Sequence, residues 1–321
     1  MHPIVQRWAI GGPTAVGKTA VAIELAKRLE SGCISVDAVA VYKGFDIGSA
    51  KPTEQERAAV SWHGIDIAEP DDNFTLKDYT DHAEAALHTY SEQGKTPILV
   101  GGTGLYLRPM LATLSIPPVP PQPALRARWM DQVDAIGSAF LYEKLAIVDP
   151  DSASRIKPAD INRILRALEV YEVTGKPMSS WRTPEGVHGV PKPGARLIVL
   201  DRETHDLDAR IQQRVSNMIT NGFLAEVEGL LQRGISENAK PMLSLGYRHL
   251  VQYIQGSHSL PETVDLIAQD TRRYSRRQRT WFRSDPLTQW INVAPGTSVS
   301  DTADQVWTLL NVNSVKTEVK D

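Results

Sequence analysis

The stretch GGPTAVGKTA, Gly11 to Ala20, decides the fold class. Within it, Gly12-Pro13-Thr14-Ala15-Val16-Gly17-Lys18-Thr19 fits the pattern of a phosphate-binding loop. In such a loop the glycines let backbone N–H groups converge on an anion, and the following helix adds the positive end of its dipole. Lys18 offers a point charge to a terminal phosphate, and the Thr19 hydroxyl can hold a magnesium ion. The bland alternative is a glycine-rich turn, so the flanks decide. Val5–Ile10 is mostly apolar, and Thr19–Leu29 carries apolar residues at helical spacing. Strand, glycine loop, helix is the context the motif requires. The loop announces a phosphate and is silent on what that phosphate is attached to.

Further strands extend the pattern. Residues 33–36 (Cys-Ile-Ser-Val) end at Asp37, residues 97–100 end in Gly101-Gly102-Thr103-Gly104, and residues 197–200 end at Asp201. Strands alternating with helical segments predict an α/β fold with a parallel sheet covered on both faces. Residues 117–123 hold five prolines in seven positions, and residues 183–196 are again rich in Pro and Gly. Between them lie helical patterns over 125–148 and 161–173, with Gly175 placed as a stop. Residues 117–195 therefore read as a mostly helical insertion into a core formed by 1–116 and 196–312. From the strand at 197 the chain reads as helical to about Arg283, and the polar residues 313–321 read as a disordered tail.

Composition sets outer bounds. A chain of 321 residues suggests about two domains. Apolar residues make up 41%, enough for a substantial core, and no apolar run reaches the roughly 18 residues of a membrane span. The N-terminus lacks a secretory pattern. One cysteine, Cys33, excludes an intrachain disulfide and a cysteine-held zinc, and it fits a reducing cytoplasm. The eight histidines show no metal-ligand spacing. The formal net charge of −3 hides a strongly basic segment.

That segment is Thr271–Arg283, with six arginines in thirteen residues and no acid. On a helix, Arg272, Arg276, Arg279 and Arg283 form one stripe, while Ile267, Tyr274, Gln278 and Trp281 form a neighbouring face that can pack on the core. Solvated charged helices usually alternate signs; a one-signed face points to a polyanion, nucleic acid above all. Asn162, Arg163 and Arg166 open an insertion helix, Gly246-Tyr247-Arg248 is a turn offering an aromatic plane and a guanidinium, and Arg210 and Arg214 lie one turn apart. Each of these alone reads equally well as ordinary surface. A second acidic site for magnesium falls to Asp37 or to Asp201. In a parallel sheet the loops at the carboxyl ends of strands line the ligand crevice, which would set Thr103 near the phosphate loop and Asp37.

Taken together, GPTAVGKT, ISVDAVAVYKGFDIGSAKP, GGTGLYL, NRILRALEVYEVTGKP, LGYRHL and TRRYSRRQRTWFR resemble the motifs of the tRNA dimethylallyltransferases, in order from Gly12 to Arg283. The resemblance implies a phosphate-loop core similar to nucleotide kinases. It implies that Gly12–Thr19 hold dimethylallyl diphosphate with Mg2+ on Thr19, and that the prenyl group goes to the adenosine just 3′ of the anticodon of tRNA. Asp37 matches the family's general base, Thr103 a hydroxyl that holds the reactants, and Arg210 an arginine on the pyrophosphate. The tRNA contacts implied are Asp37, Ala38, Val39, Ala40, Thr103, Arg126, Asn162, Arg163, Arg166, Gly246, Tyr247, Arg248, Arg272, Arg276 and Arg279. The chain is expected to be a cytoplasmic monomer. One departure stands out: the family usually has serine after the aspartate, and here Asp37 is followed by Ala38. The rival readings are a small-molecule kinase, an RNA-stimulated ATPase, and an enzyme prenylating free adenine nucleotides.

Overall fold

The computed structural model describes residues 4–114, 117, 119–181 and 189–311. Parts of the proline-rich stretch 117–123 and of 183–196, and the whole expected tail 313–321, lie outside the described residues. The chain divides into two compact units. One takes in the chain up to Ala112 and from Pro191 onward; the other is Thr113–Val190. These divisions fall four or five residues before the sequence-based ones at 117 and 195, because β5 (Ala112–Thr113) and β6 (Val190–Pro191) lie at the two crossings.

The first unit is built on a six-stranded sheet. Its strands are β1 (Arg7–Gly11), β2 (Cys33–Val36), β3 (Trp62–His63), β4 (Ile98–Gly101), β7 (Ala195–Asp201) and β8 (Thr288–Asn292), in the order β3-β2-β4-β1-β7-β8. Every pairing in it is parallel. The strands are apolar on both faces for a physical reason. Ala9, Leu99, Leu197 and Val199 point into one hydrophobic cluster, while Ile10, Ile98, Val100, Ile198 and Leu200 point into another. Each face of a parallel sheet must be covered by helices, so both sets of alternating residues are apolar.

One cluster is closed by α1 (Lys18–Arg28) and α13 (Val299–Asn311). The other is closed by α3 (Leu76–Glu92), α4 (Gly104–Leu111), α10 (Phe223–Gln232), α11 (Tyr247–Ile254) and α12 (Leu260–Arg283). Helix α9 (Thr204–Thr220) contributes to both, through Leu207 and Ile211 on one side and Val215 on the other. A short α2 (Glu54–Ala59) completes the unit. On α12 the buried residues Ile267, Thr271, Ser275, Gln278 and Phe282 recur at helical spacing and form its inward face. Ser259 and Glu262 cap its start reciprocally.

The second unit is helical: α5 (Pro123–Ile136), α6 (Ala139–Val148), α7 (Pro150–Ala153) and α8 (Ile161–Thr174). Its core gathers Trp129, Leu141, Leu145, Ile164, Leu165 and Leu168. The single helix expected over 125–148 is two, because the chain turns at Gly137, whose φ of 86° no helix permits. The 161–173 helix ends at Gly175 in the left-handed region, as its sequence predicts.

Candidate active site

Strand β1 delivers the chain into Gly12, whose φ is 137° and whose missing Cβ would stand 2.4 Å from the Leu200 carbonyl oxygen. No other residue fits there. Three positions on, Ala15 takes φ 65° and its carbonyl accepts a 2.8 Å hydrogen bond from Arg210 Nε. Left-handed backbone at a residue with a Cβ costs of order 1 kcal/mol, and the neighbouring Val16 carbonyl is tied to Arg202 Nε at 3.0 Å. The loop is thus held from outside by two arginines. Lys18 folds back so that Nζ donates to the Pro13 carbonyl at 2.8 Å. Burial, then the Arg214 charge, lower the Lys18 ammonium to about 7, against the pull of Asp37. The same burial lowers Arg214 from the ordinary guanidinium value, again opposed by Asp37.

The carboxylate side of the site comes from the ends of β2 and β4, which pair so that Val36 lies opposite Gly101. Asp37 Oδ1 accepts from the N–H groups of Val39 at 2.8 Å and Ala40 at 3.1 Å, which fixes the side chain against its own turn. The Thr103 N–H donates to the Val36 carbonyl at 3.3 Å, and its Oγ1 accepts from the Ala38 N–H at 3.3 Å. The Tyr274 hydroxyl lies beside the side chains of Thr103 and Gln278; burial and the Asp37 charge push it up to about 12.

Gln278 joins the two halves. Its Oε1 accepts from the Thr14 N–H at 2.9 Å and its Nε2 donates to the Gly102 carbonyl at 3.0 Å. Gly102 makes this approach possible, since a Cβ there would meet Gln278 Nε2 at 2.1 Å. A cavity of about 400 Å³ opens between these groups, with Thr14, Lys18, Thr19, Asp37, Thr103 and Arg214 in its lining. A wider one of about 1270 Å³ abuts it at Lys18, Thr19 and Arg214 and extends past Arg210. Among the described residues no group of three or more His, Cys, Asp or Glu is placed to hold a metal ion. A cation here would rest on Thr19 and on oxygens of the substrate, the manner in which magnesium is held at phosphate sites.

Several residues read from sequence as polyanion contacts have inward partners. Arg279 is buried: it bonds Asp201 at 2.7 Å, Thr204 at 3.0 Å and the Arg202 carbonyl. It does not belong to an exposed stripe. The same ion pair occupies Asp201, which therefore leaves Asp37 as the acid facing the phosphate loop. Arg272 donates to Gln212 at 2.7 Å, whereas Arg276 and Arg283 are exposed. Tyr247 is fully buried and donates to Glu226 at 2.6 Å, so it offers no aromatic plane to solvent. Glu226 in turn accepts from the N–H groups of Asp46, Ile47 and Gly48 and fixes that turn. Gly246 and Arg248 line the smaller cavity, and Arg248 pairs with Asp270 at 2.6 Å.

In the helical unit, Asn162 and Arg163 are exposed at the start of α8. Arg126 and Arg166 converge on Glu169, at 2.9 and 2.6 Å, and that carboxylate is buried. Those two bonds and the Gln122 N–H outweigh burial and hold Glu169 at about 2. Helical spacing assigns Tyr274 and Gln278 only a packing role and leaves Arg214 without one; its spacing of four from Arg210 is the available signal.

A phosphate loop at the carboxyl end of a parallel sheet, facing a carboxylate and a threonine hydroxyl, defines a phosphate-loop enzyme. One family, described as IPP transferase, matches residues 40–285. The chain is 45% identical over 285 residues to the tRNA dimethylallyltransferase of Syntrophobacter fumaroxidans, covering 89% of this chain and 83% of that one. With the tRNA dimethylallyltransferase of Roseiflexus sp. (strain RS-1) it shares 46% over 288 residues, 89% of this chain and 92% of that one. Its fold is similar to the crystal structure of a full-length tRNA isopentenylpyrophosphate transferase from Bacillus halodurans, with TM-score 0.70 and 33% identity, covering 97% and 98% of the two chains. This chain belongs to the IPP transferase family.

Proposed function

We propose that the chain transfers the dimethylallyl group of dimethylallyl diphosphate to the N6 amine of adenosine 37, beside the anticodon of tRNA, and releases pyrophosphate. The observation that carries this reading is one cavity lined both by the phosphate loop, Thr14, Lys18 and Thr19, and by Asp37 and Thr103. A diphosphate and a proton acceptor then face each other across that cavity.

The chemistry follows from the groups present. The amine lone pair forms the new C–N bond as the allylic C–O bond breaks and its electrons pass to the diphosphate. An adenine amine is a poor nucleophile, so the leaving charge must be stabilised. Lys18, Arg210 and Arg214 supply that stabilisation, with the loop's N–H groups. A magnesium ion held on Thr19 and on the diphosphate would add Lewis-acid stabilisation there. As the bond forms the nitrogen turns acidic, and Asp37 takes its proton. Thr103, tethered to the Ala38 N–H, keeps its hydroxyl turned to the reactants. Ala38 brings no hydroxyl of its own, and Tyr274 places one beside Thr103 instead.

The acceptor base must leave its stack to reach such a cavity. Arg276, Arg277 and Arg283 on α12, and Asn162 and Arg163 in the helical unit, supply polar contacts for the RNA. The enzyme works as a cytoplasmic monomer in this reading. The test is purified protein, magnesium and labelled dimethylallyl diphosphate, offered either unmodified tRNA or AMP. Label entering tRNA and not AMP is expected; label entering AMP alone would replace the acceptor.

A further inference from the structure

We propose, building on that reaction, that Met218 is the wall against which the donor's five-carbon tail lies, and that it sets the tail length the site accepts. Helix α9 carries Arg210, Arg214 and Met218 at four-residue steps, so they follow one another along one side of the helix about 6 Å apart. Arg210 holds the phosphate loop at the Ala15 carbonyl, and Arg214 lines both cavities together with Lys18. Two cations followed by a thioether reproduce the order of a prenyl diphosphate, anionic head first and apolar tail next.

The placement of Met218 supports a tail contact. It lines both cavities, and it is the largest apolar side chain among those that do. On that assignment it is the partition where they abut. It is partly buried and packs on the same hydrophobic cluster as Val215 and Phe223. The Asp37 and Thr103 end of the cavity is needed for the amine, so the tail has to turn aside from it. The apolar surface one helical turn beyond Arg214 is Met218. An unbranched thioether adapts to a short branched tail through dispersion contacts. A ten-carbon tail would have to pass through it.

The experiment compares wild type, Met218→Ala and Met218→Phe, using dimethylallyl and geranyl diphosphates as donors and inorganic pyrophosphate as a tail-less probe. Removing the thioether opens the partition. In Met218→Ala the kcat/KM ratio of geranyl over dimethylallyl diphosphate is expected to rise about thirtyfold, on the scale of a pocket gaining or losing a few methylenes. Dimethylallyl diphosphate should bind about tenfold more weakly, and pyrophosphate within about twofold of wild type, because only apolar contact is lost. Met218→Phe should bind pyrophosphate normally and lose dimethylallyl transfer. An unchanged donor ratio in Met218→Ala, or equal losses for pyrophosphate and dimethylallyl diphosphate, would overturn the assignment. If wild type transferred no prenyl group to tRNA, the reaction itself would be wrong. The binding comparison would still read the tail contact.

Discussion

Raising the pH from 7.5 to 8.5 should weaken dimethylallyl diphosphate binding about eightfold, if only the protonated Lys18 binds and its value in the free protein is about 7. The sign follows from the direction of the shift. Burial first, then the Arg214 charge, lower the Lys18 ammonium, while Asp37 opposes them. An arriving diphosphate reverses the balance and favours the charged amine. Binding therefore takes up a proton wherever free Lys18 is neutral. Affinity is flat below about pH 7 on this account and falls above it, with uptake near 0.9 proton at pH 8. Working above pH 7.5 keeps the donor out of the way, since phosphate groups lose their last proton near 6. Calorimetry in two buffers of different ionisation enthalpy, without RNA, reads both affinity and proton uptake. Lys18→Arg keeps its charge throughout this range, so its affinity should not vary between the two pH values. Equal wild-type affinity at pH 7.5 and 8.5 with no proton uptake would refute the reasoning and leave Lys18 charged throughout this range.

Three further outcomes can be measured. Gln278→Leu removes the clamp between Thr14 and Gly102, and should cost about a hundredfold in kcat/KM, the scale of a 1 Å misplacement, with tRNA affinity within about threefold; Gln278→Glu, which can still accept from Thr14, should fall between, and equal loss in both variants would discount the clamp. Arg276→Ala with Arg283→Ala should weaken tRNA binding and flatten its log–log salt slope by about one to two units, whereas Arg279→Ala, which strands Asp201, should instead destabilise the fold by about 3 kcal/mol in denaturant titration. Glu169 is held at about 2, so its stabilising effect is fully present above the unfolded carboxylate value and is lost as pH falls from about 4.5 toward 2; its full size is about 3 kcal/mol, and Glu169→Gln should abolish that part of the acid sensitivity.

The sequence exposed the parts of this site that are local in the chain. Gly12–Thr19 is a contiguous motif, and strands ending at Asp37 and Thr103 place those residues at the same edge of a parallel sheet. The covering helices were legible from spacing, including the inward face of α12 that carries Gln278. Links between distant segments were not. Thr14 and Gln278 lie 264 positions apart, and nothing local in either announces their bond. Charge without partners misled in the same way: Arg279 looked like its neighbours until the end of β7 brought Asp201 beneath it. Tyr247 was misjudged because a tyrosine in a turn reads as exposed unless its acceptor, here Glu226, is known. The edge strands β3 and β8 escaped notice, the first for having two residues, the second because TQWIN holds only two apolar residues, adjacent rather than alternating.

The most direct test of the central claim incubates the purified protein with unmodified tRNA, magnesium and dimethylallyl diphosphate labelled in its tail, without ATP. The label is then located by nuclease digestion and the released pyrophosphate is counted. The account predicts label on the N6 of adenosine 37, one pyrophosphate per transfer, and a rate at least about a hundredfold lower in Asp37→Asn with donor binding retained. A requirement for ATP, label at another nucleotide, or an Asp37→Asn variant that works at nearly the wild-type rate would contradict it.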